Sequence, residues 1–73
     1  MRDKEERPYD DGVAEFTDAT CIHETPKALL CVVDGDEYWI PKGQIDAESD
    51  IHGEGDEGSL IISEWIALQK GLI

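Results

Sequence analysis

The segment Ala28-Leu29-Leu30-Cys31-Val32-Val33 is an unbroken apolar run, closed by Asp34-Gly35 and followed by Asp36-Glu37-Tyr38-Trp39-Ile40-Pro41. Few conformations are open to such a stretch. The run is too short for a self-standing helix, and its branched residues suit a pleated sheet. Asp-Gly between apolar runs favours a two-residue turn with positive φ at both central residues, which matches the twist of the strands it joins. A β-hairpin is therefore expected, with Ala28–Val33 as a central strand covered on both faces and Tyr38–Ile40 as its return. Pro41 lacks the N–H a ladder requires and is expected to end the return strand.

The flanking segments extend this reading. Glu15–Glu24, rich in Thr, Ile, Phe and Cys, is expected to form a strand despite imperfect alternation, and Thr25-Pro26-Lys27 a turn. Lys42–Gly58 is polar and carries Ile45 and Ile51 as its only large apolar residues, so it reads as a loop pinned to the core at those two points. Its length is unusual for a loop without structure of its own. Ser59–Ile62 suits a short strand. Ser63 is placed to cap a helix over Glu64–Lys70, with Glu64 at the positive end of the helix dipole and Gly71 as the stop. Trp65, Leu68 and Leu72 share one face of that helix and are expected to pack on the sheet, with Trp65 buried. Residues 1–12 are of mixed charge without periodicity and read as a flexible tail; residues 13–73 read as one small β-rich domain. The expected fold is mainly β: a small antiparallel sheet or SH3-like partial barrel of three or four strands in meander order, with one short C-terminal helix.

Charge limits the class of partner. Among 73 residues, 18 Asp and Glu oppose 6 Lys and Arg, a formal charge of −12. Direct binding to nucleic acid or to an anionic membrane is disfavoured by repulsion, and a basic partner is favoured. No apolar run approaches the ~20 residues of a membrane span. No apolar segment follows the charged start Met1–Arg7, so neither a secretion signal nor a lipid anchor is expected, and the cytoplasm is the expected compartment. In that setting Cys21 and Cys31 are expected to be free, buried thiols.

The acids concentrate between Asp34 and Glu57. Asp34, Asp36, Glu37, Asp46, Glu48, Asp50, Glu54, Asp56 and Glu57 occupy one hairpin turn and one loop, with Lys42 the only base among them. Duplex DNA carries one charge per ~1.7 Å of axis, so a charge of this size matches roughly 20 Å of duplex. A domain of this length is about 30 Å wide. The charge per unit length is comparable, and carboxylates gathered on one face could compete for a basic nucleic-acid groove. A solvated acidic surface that only confers solubility is the alternative. Trp39 is a further candidate for partner binding, since Trp and Tyr dominate interface hot spots.

Other chemistries are weaker. Asp46, Glu48, Asp50 and Glu57 fall at the first, third, fifth and twelfth places of a calcium loop, but Ile51 stands where the sixth place needs Gly. Cys21, His23, Cys31 and His52 are soft ligands without a Cys-x-x-Cys pair. No metal site, cofactor or catalytic residue is therefore expected, and no nucleophile or phosphate-loop motif is present.

Asp34-Gly35-Asp36-Glu37-Tyr38-Trp39-Ile40-Pro41-Lys42-Gly43-Gln44-Ile45, followed by Gly58-Ser59-Leu60-Ile61-Ile62-Ser63-Glu64-Trp65 and Lys70-Gly71-Leu72, resembles a family of short phage and prophage proteins. That family has a Trp-Ile-Pro-Lys-Ser-Gln-Ile element, an acidic loop and a Ser-Glu-Trp segment ending in Lys-Gly-Leu; Gly43 departs from its Ser. The resemblance covers about two-thirds of the chain. It implies an origin in phage and carries no functional residues with it. Phage origin raises one class of activity: inhibition of a host defence nuclease or CRISPR effector, most concretely as an anti-CRISPR DNA mimic in the host cytoplasm. A structural or accessory phage protein that docks through the aromatic surface around Trp39 is the alternative.

Overall fold

The structure, a computed structural model, describes residues 12–73; most of the tail expected at residues 1–12 therefore lies outside the described residues. The fold is mainly β. Four antiparallel strands, β1 (Val13–Glu24), β2 (Ala28–Val33), β3 (Asp36–Pro41) and β4 (Glu57–Ser63), form one sheet in the order β3-β2-β1-β4, and one short helix, α1 (Glu64–Gln69), follows β4.

The hairpin forms as its sequence dictates. Val33 pairs with Asp36, and the two residues between them, Asp34 and Gly35, take φ of 54° and 84°. Asp tolerates that region better than most residues and Gly enters it freely. Two expectations for this part of the sheet are corrected. The order is not a pure meander, because β4 returns beside β1 and not beside β3. Strand β2 is central in the sheet yet fully covered on one face only: Leu29, Cys31 and Val33 are buried, while Ala28, Leu30 and Val32 are half-buried. The uninterrupted apolar run thus conceals an ordinary alternation.

Strand β1 begins at Val13, earlier than expected, and owes its poor alternation to two bulges. One lies between Phe16 and Ala19, where Asp18 has φ 60°; the other lies between Cys21 and His23 and leaves Ile22 unpaired. Each bulge inserts one residue, so the inward set resumes out of phase, with Ala14 and Phe16 before the first bulge and Ala19 and Cys21 after it. Val13–Thr20 pairs with β4 and Thr20–Glu24 with β2, so the two ladders overlap at Thr20.

The segment read as a loop, 42–58, carries structure of its own. A turn of 3-10 helix, Lys42–Gln44, leads to Ile45, which forms an antiparallel bridge with Ile62 of β4. Ile62 pairs with Ala14 of β1 on its other side, so the chain leaving one edge of the sheet seals the opposite edge. Ile51 is fully buried, as expected, and Ile45 packs against the core. Strand β4 starts at Glu57, two residues before the expected Ser59.

The helix is capped at both ends. Ser63 Oγ accepts a hydrogen bond from Ile66 N–H at 3.1 Å. At the other end Gly71 N–H donates to Leu68 C=O at 3.2 Å and Leu72 N–H to Ala67 C=O at 2.8 Å, the pairing of a Schellman stop. Its inward face differs from the expectation. Ile66 and Ala67 are the buried residues, Trp65 and Leu72 are partly buried against the core, and Leu68 is exposed. Leu29, Ile40, Ile51, Leu60, Ile62 and Val33 fill most of the core volume beneath it. Among the described residues, no helix is long and apolar enough to cross a membrane.

Candidate protein-interaction surface

The face of the sheet turned away from the core is organised by register. Glu37 pairs with Val32, Val32 with Thr20 and Thr20 with Glu57, so one row crosses all four strands. Directly opposed residues point to the same side. With strands ~4.8 Å apart, the backbones of Glu37 and Glu57 stand about 14 Å apart across the row. Two residues along, Trp39 pairs with Leu30 and Leu30 with His23. His23 and Trp39 meet edge to face across Leu30, with ring centroids 5.9 Å apart, and His23 Nδ1 lies 3.9 Å from Glu54 Oε1. Trp39 is 42% exposed and Ile22, the residue the second bulge leaves unpaired, 44%. The surface is thus an apolar strip, exposed at Trp39 and half-buried at Leu30 and Val32, with Glu37, Glu54 and Glu57 around it and Asp34 exposed at the hairpin turn; Asp36, the partner of inward-facing Val33, is exposed on the other side of the sheet.

Among the described residues, two lysines sit at the end of the hairpin away from its turn. Lys27, Lys42 and Lys70 are the only Lys or Arg residues in 12–73. Lys42 N–H donates to Lys27 C=O at 2.9 Å, which fixes both lysines at the end of β2–β3 remote from the Asp34-Gly35 turn. Lys42 also forms an ion pair with Glu24, at 2.6 Å. Its ammonium holds the Glu24 carboxyl below the usual carboxylate range, helped by a hydrogen bond from Glu54 N–H.

The nine acids singled out from the sequence separate into two groups. Asp46, Asp50 and Asp56 hold the backbone. Asp46 Oδ1 accepts from Glu48 N–H at 2.9 Å, and Asp50 Oδ2 from Ser59 N–H at 3.0 Å. Asp56 Oδ2 accepts from both His52 and Gly53 N–H, at 2.9 and 3.0 Å. Asp34, Asp36, Glu37, Glu48, Glu54 and Glu57 are exposed and form the group whose carboxylates face solvent. Asp46, Glu48 and Asp50 run along the outer edge of β4, since Asp46 and Asp50 donate their N–H groups to Ile61 and Ser59 C=O, at 2.8 Å each. The hairpin acids stand at another place in the fold, so the nine do not form one contiguous loop array.

Two residues of this region escape a reading by composition. Asp18, at the first bulge, lines an open cleft of about 270 Å³ with Ala19, Thr20, Glu57 and Gly58. Ser49 is the buried polar side chain that organises the β3–β4 connection, accepting from Ile51 and Ile61 N–H at 3.1 Å each and donating to Ser59 C=O at 3.1 Å. Strand alternation would have placed Leu30 and Val32 beside Trp39; nothing local marks Ser49.

The calcium and zinc alternatives find no support in this geometry. Among the described residues, no three His, Cys, Asp or Glu side chains converge on a point where an ion could sit. His23 lies on the outer face, whereas Cys21 and Cys31 turn into the core.

No protein-family model matches the chain, and no curated protein or solved structure matches it either. The resemblance to short phage proteins therefore rests on its motif residues alone.

Proposed function

We propose that this chain is an acidic, phage-type inhibitor that binds the nucleic-acid-binding surface of a host defence protein, most concretely an anti-CRISPR protein that takes the place of DNA. The observation that carries the reading is the row Glu37-Val32-Thr20-Glu57 with Trp39 beside it: outward carboxylates around an apolar strip, with Lys27 and Lys42 at the far end of the hairpin. The ~14 Å between the backbones of the two bracketing residues is close to the ~12 Å width of the DNA major groove. The mechanism is stoichiometric occlusion in the host cytoplasm. Solvent-facing carboxylates pair with the cations that otherwise hold phosphate, the apolar strip excludes water between them, and no bond is made or broken.

The test separates the two groups of acids. A variant carrying Asp34→Asn, Asp36→Asn, Glu37→Gln, Glu48→Gln, Glu54→Gln and Glu57→Gln neutralises these six exposed carboxylates and leaves the three backbone-holding aspartates. Its binding to a candidate nuclease or CRISPR effector is measured against the parent at low and high salt. Loss of affinity, with the steep salt dependence of the parent abolished, supports the reading; unchanged affinity removes it.

The exposure of Trp39 favours one other reading, a structural or accessory phage domain that docks through its aromatic strip. Affinity would then be nearly independent of salt and would collapse on Trp39→Ala.

A further inference from the structure

Cys21 and Cys31 are direct partners in the β1–β2 ladder. The backbone of Cys21 bonds in the opposite direction: its N–H donates to Asp56 C=O at 2.9 Å and its C=O accepts from Gly55 N–H at 2.9 Å. The two cysteines are therefore a non-hydrogen-bonded pair, the closer of the two kinds in an antiparallel ladder, for which Cα atoms stand ~4.5 Å apart. Disulfides span Cα separations of ~4.4–6.8 Å, and the separation of such a pair falls within that range. Both side chains turn into the core, 1% and 0% exposed. Burial, with the neighbouring Cys21 sulfur in contact, pushes the Cys31 thiol up to about 12, and burial raises Cys21 as well. Cys21 Sγ donates to His23 C=O at 3.3 Å, and the carboxylates of Glu24, Asp56 and Glu54 lie near enough to raise this thiol further.

We propose that Cys21 and Cys31 are a dithiol modification site that a small-molecule disulfide converts to a cross-strand disulfide within the folded domain. Cys21, as thiolate, attacks one sulfur of the small disulfide; that S–S bond breaks, one small thiol leaves and a mixed disulfide forms. Cys31 gives up its proton and attacks the Cys21 sulfur, and the second small thiol leaves. One S–S bond forms in the protein and one breaks in the co-reactant, which takes up the two electrons and two protons the protein loses. Raised thiol pKa values make the first attack slow in the closed fold. Access comes through the turn at residues 53–56, which the two Cys21 backbone bonds and the Glu24–Glu54 bond hold against β1.

The crosslink spans the second bulge of β1, where the ladder is interrupted. Its sulfurs lie beneath the Trp39-Leu30-His23 row, on the opposite face. Oxidation therefore stiffens the base of the candidate surface and leaves the side chains of that surface in place.

The test uses the native full chain, incubated with oxidised glutathione near pH 8 and read by intact mass under non-reducing conditions. The expected product is a monomer lighter by about 2 Da, with no retained glutathione. Its thermal midpoint rises on the order of 10 °C, the gain estimated for closing a loop this short, and dithiothreitol reverses it. Cys21→Ala and Cys31→Ala each abolish the mass loss and the midpoint shift. An unchanged mass, a stable glutathione adduct or a disulfide-linked dimer as the main product overturns the proposal. The mass measurement on the unsubstituted chain decides the matter even where a variant fails to fold.

Discussion

Asp50 pairs with Ser59 as a neighbouring strand residue would: its N–H donates to Ser59 C=O at 2.8 Å, and its Oδ2 accepts from Ser59 N–H at 3.0 Å. A side chain here substitutes for a missing backbone acceptor and closes the outer edge of β4, which would otherwise offer unpaired groups to another chain. Gly58 makes room for it. A Cβ at Gly58 would stand 2.7 Å from Asp50 Oδ2, and the residue has φ 134°, where side chains are strained. Asp50→Ala is expected to cost about 1–2 kcal/mol, and Asp50→Asn less, because the amide oxygen still accepts. Urea denaturation at neutral pH measures both.

Ser49 is expected to be the more sensitive serine. Its Oγ is the acceptor for the N–H groups of Ile51 and Ile61 in a site only 6% exposed. Ser49→Ala strands the buried Ile51 N–H and the half-buried Ile61 N–H and is expected to cost roughly 2–4 kcal/mol. Ser63→Ala removes a single cap bond at the helix start and is expected to cost about 1 kcal/mol. Equal denaturation midpoints for the two variants would contradict this ordering.

The pH dependence follows from Glu24 on the acid side and from Cys21 and Cys31 on the alkaline side. Glu24 has a folded pKa below its ordinary value, so its contribution is present above that ordinary value and is lost as pH falls through the folded one. Glu24→Gln is expected to flatten the acid limb of the stability curve below about pH 4.5. Cys31 has a raised folded pKa, so it contributes no loss below the ordinary thiol value. Between roughly pH 9 and 12 the unfolded thiol ionises while the folded one does not, and stability falls by up to ~1.4 kcal/mol per pH unit. Cys31→Ala is expected to reduce that alkaline slope to the part contributed by Cys21, which burial also raises, read from thermal midpoints across the range.

Much of this fold is legible because its determinants are local. Asp34-Gly35 specifies its turn within two residues, and Ser63 and Gly71 mark the helix ends within one turn each. The partner of β4 is not local. Nothing in Ser59–Ile62 says whether it should lie beside Ala14–Phe16 or beside β3, and the bridge Ile45–Ile62 that settles the edge depends on a connection of polar residues. Asp18 illustrates a second limit: a bulge resets the alternation of β1, and an Asp with positive φ leaves no mark in the sequence. For the candidate surface, the acids were legible by identity alone. That Asp46, Asp50 and Asp56 hold backbone N–H groups while Glu37 and Glu57 face outward is a property of register, which composition does not encode. The helix misleads for the same reason. Two turns carry several apolar residues, and contact with β1 and β4 selects Ile66 and Ala67 over Leu68.

The proposed interface makes separable demands on Trp39 and on the bracketing carboxylates. Trp39 is held by Leu30 on one side and meets His23 edge to face, so truncating it removes contact area without disturbing the core residue Ile40 that follows it. Glu37 and Glu57 stand at opposite ends of one row, and long-range attraction from both adds to the rate of encounter with a basic partner. Glu37→Gln with Glu57→Gln is expected to slow association several-fold at low salt and to change dissociation little. Trp39→Ala is expected to speed dissociation by about tenfold or more, the loss of one hot-spot aromatic, with association nearly unchanged. Stopped-flow or surface-plasmon kinetics against the same basic partner resolve the two. If charge neutralisation leaves association untouched while Trp39→Ala abolishes binding, the strip is an aromatic docking face and its carboxylates serve solubility.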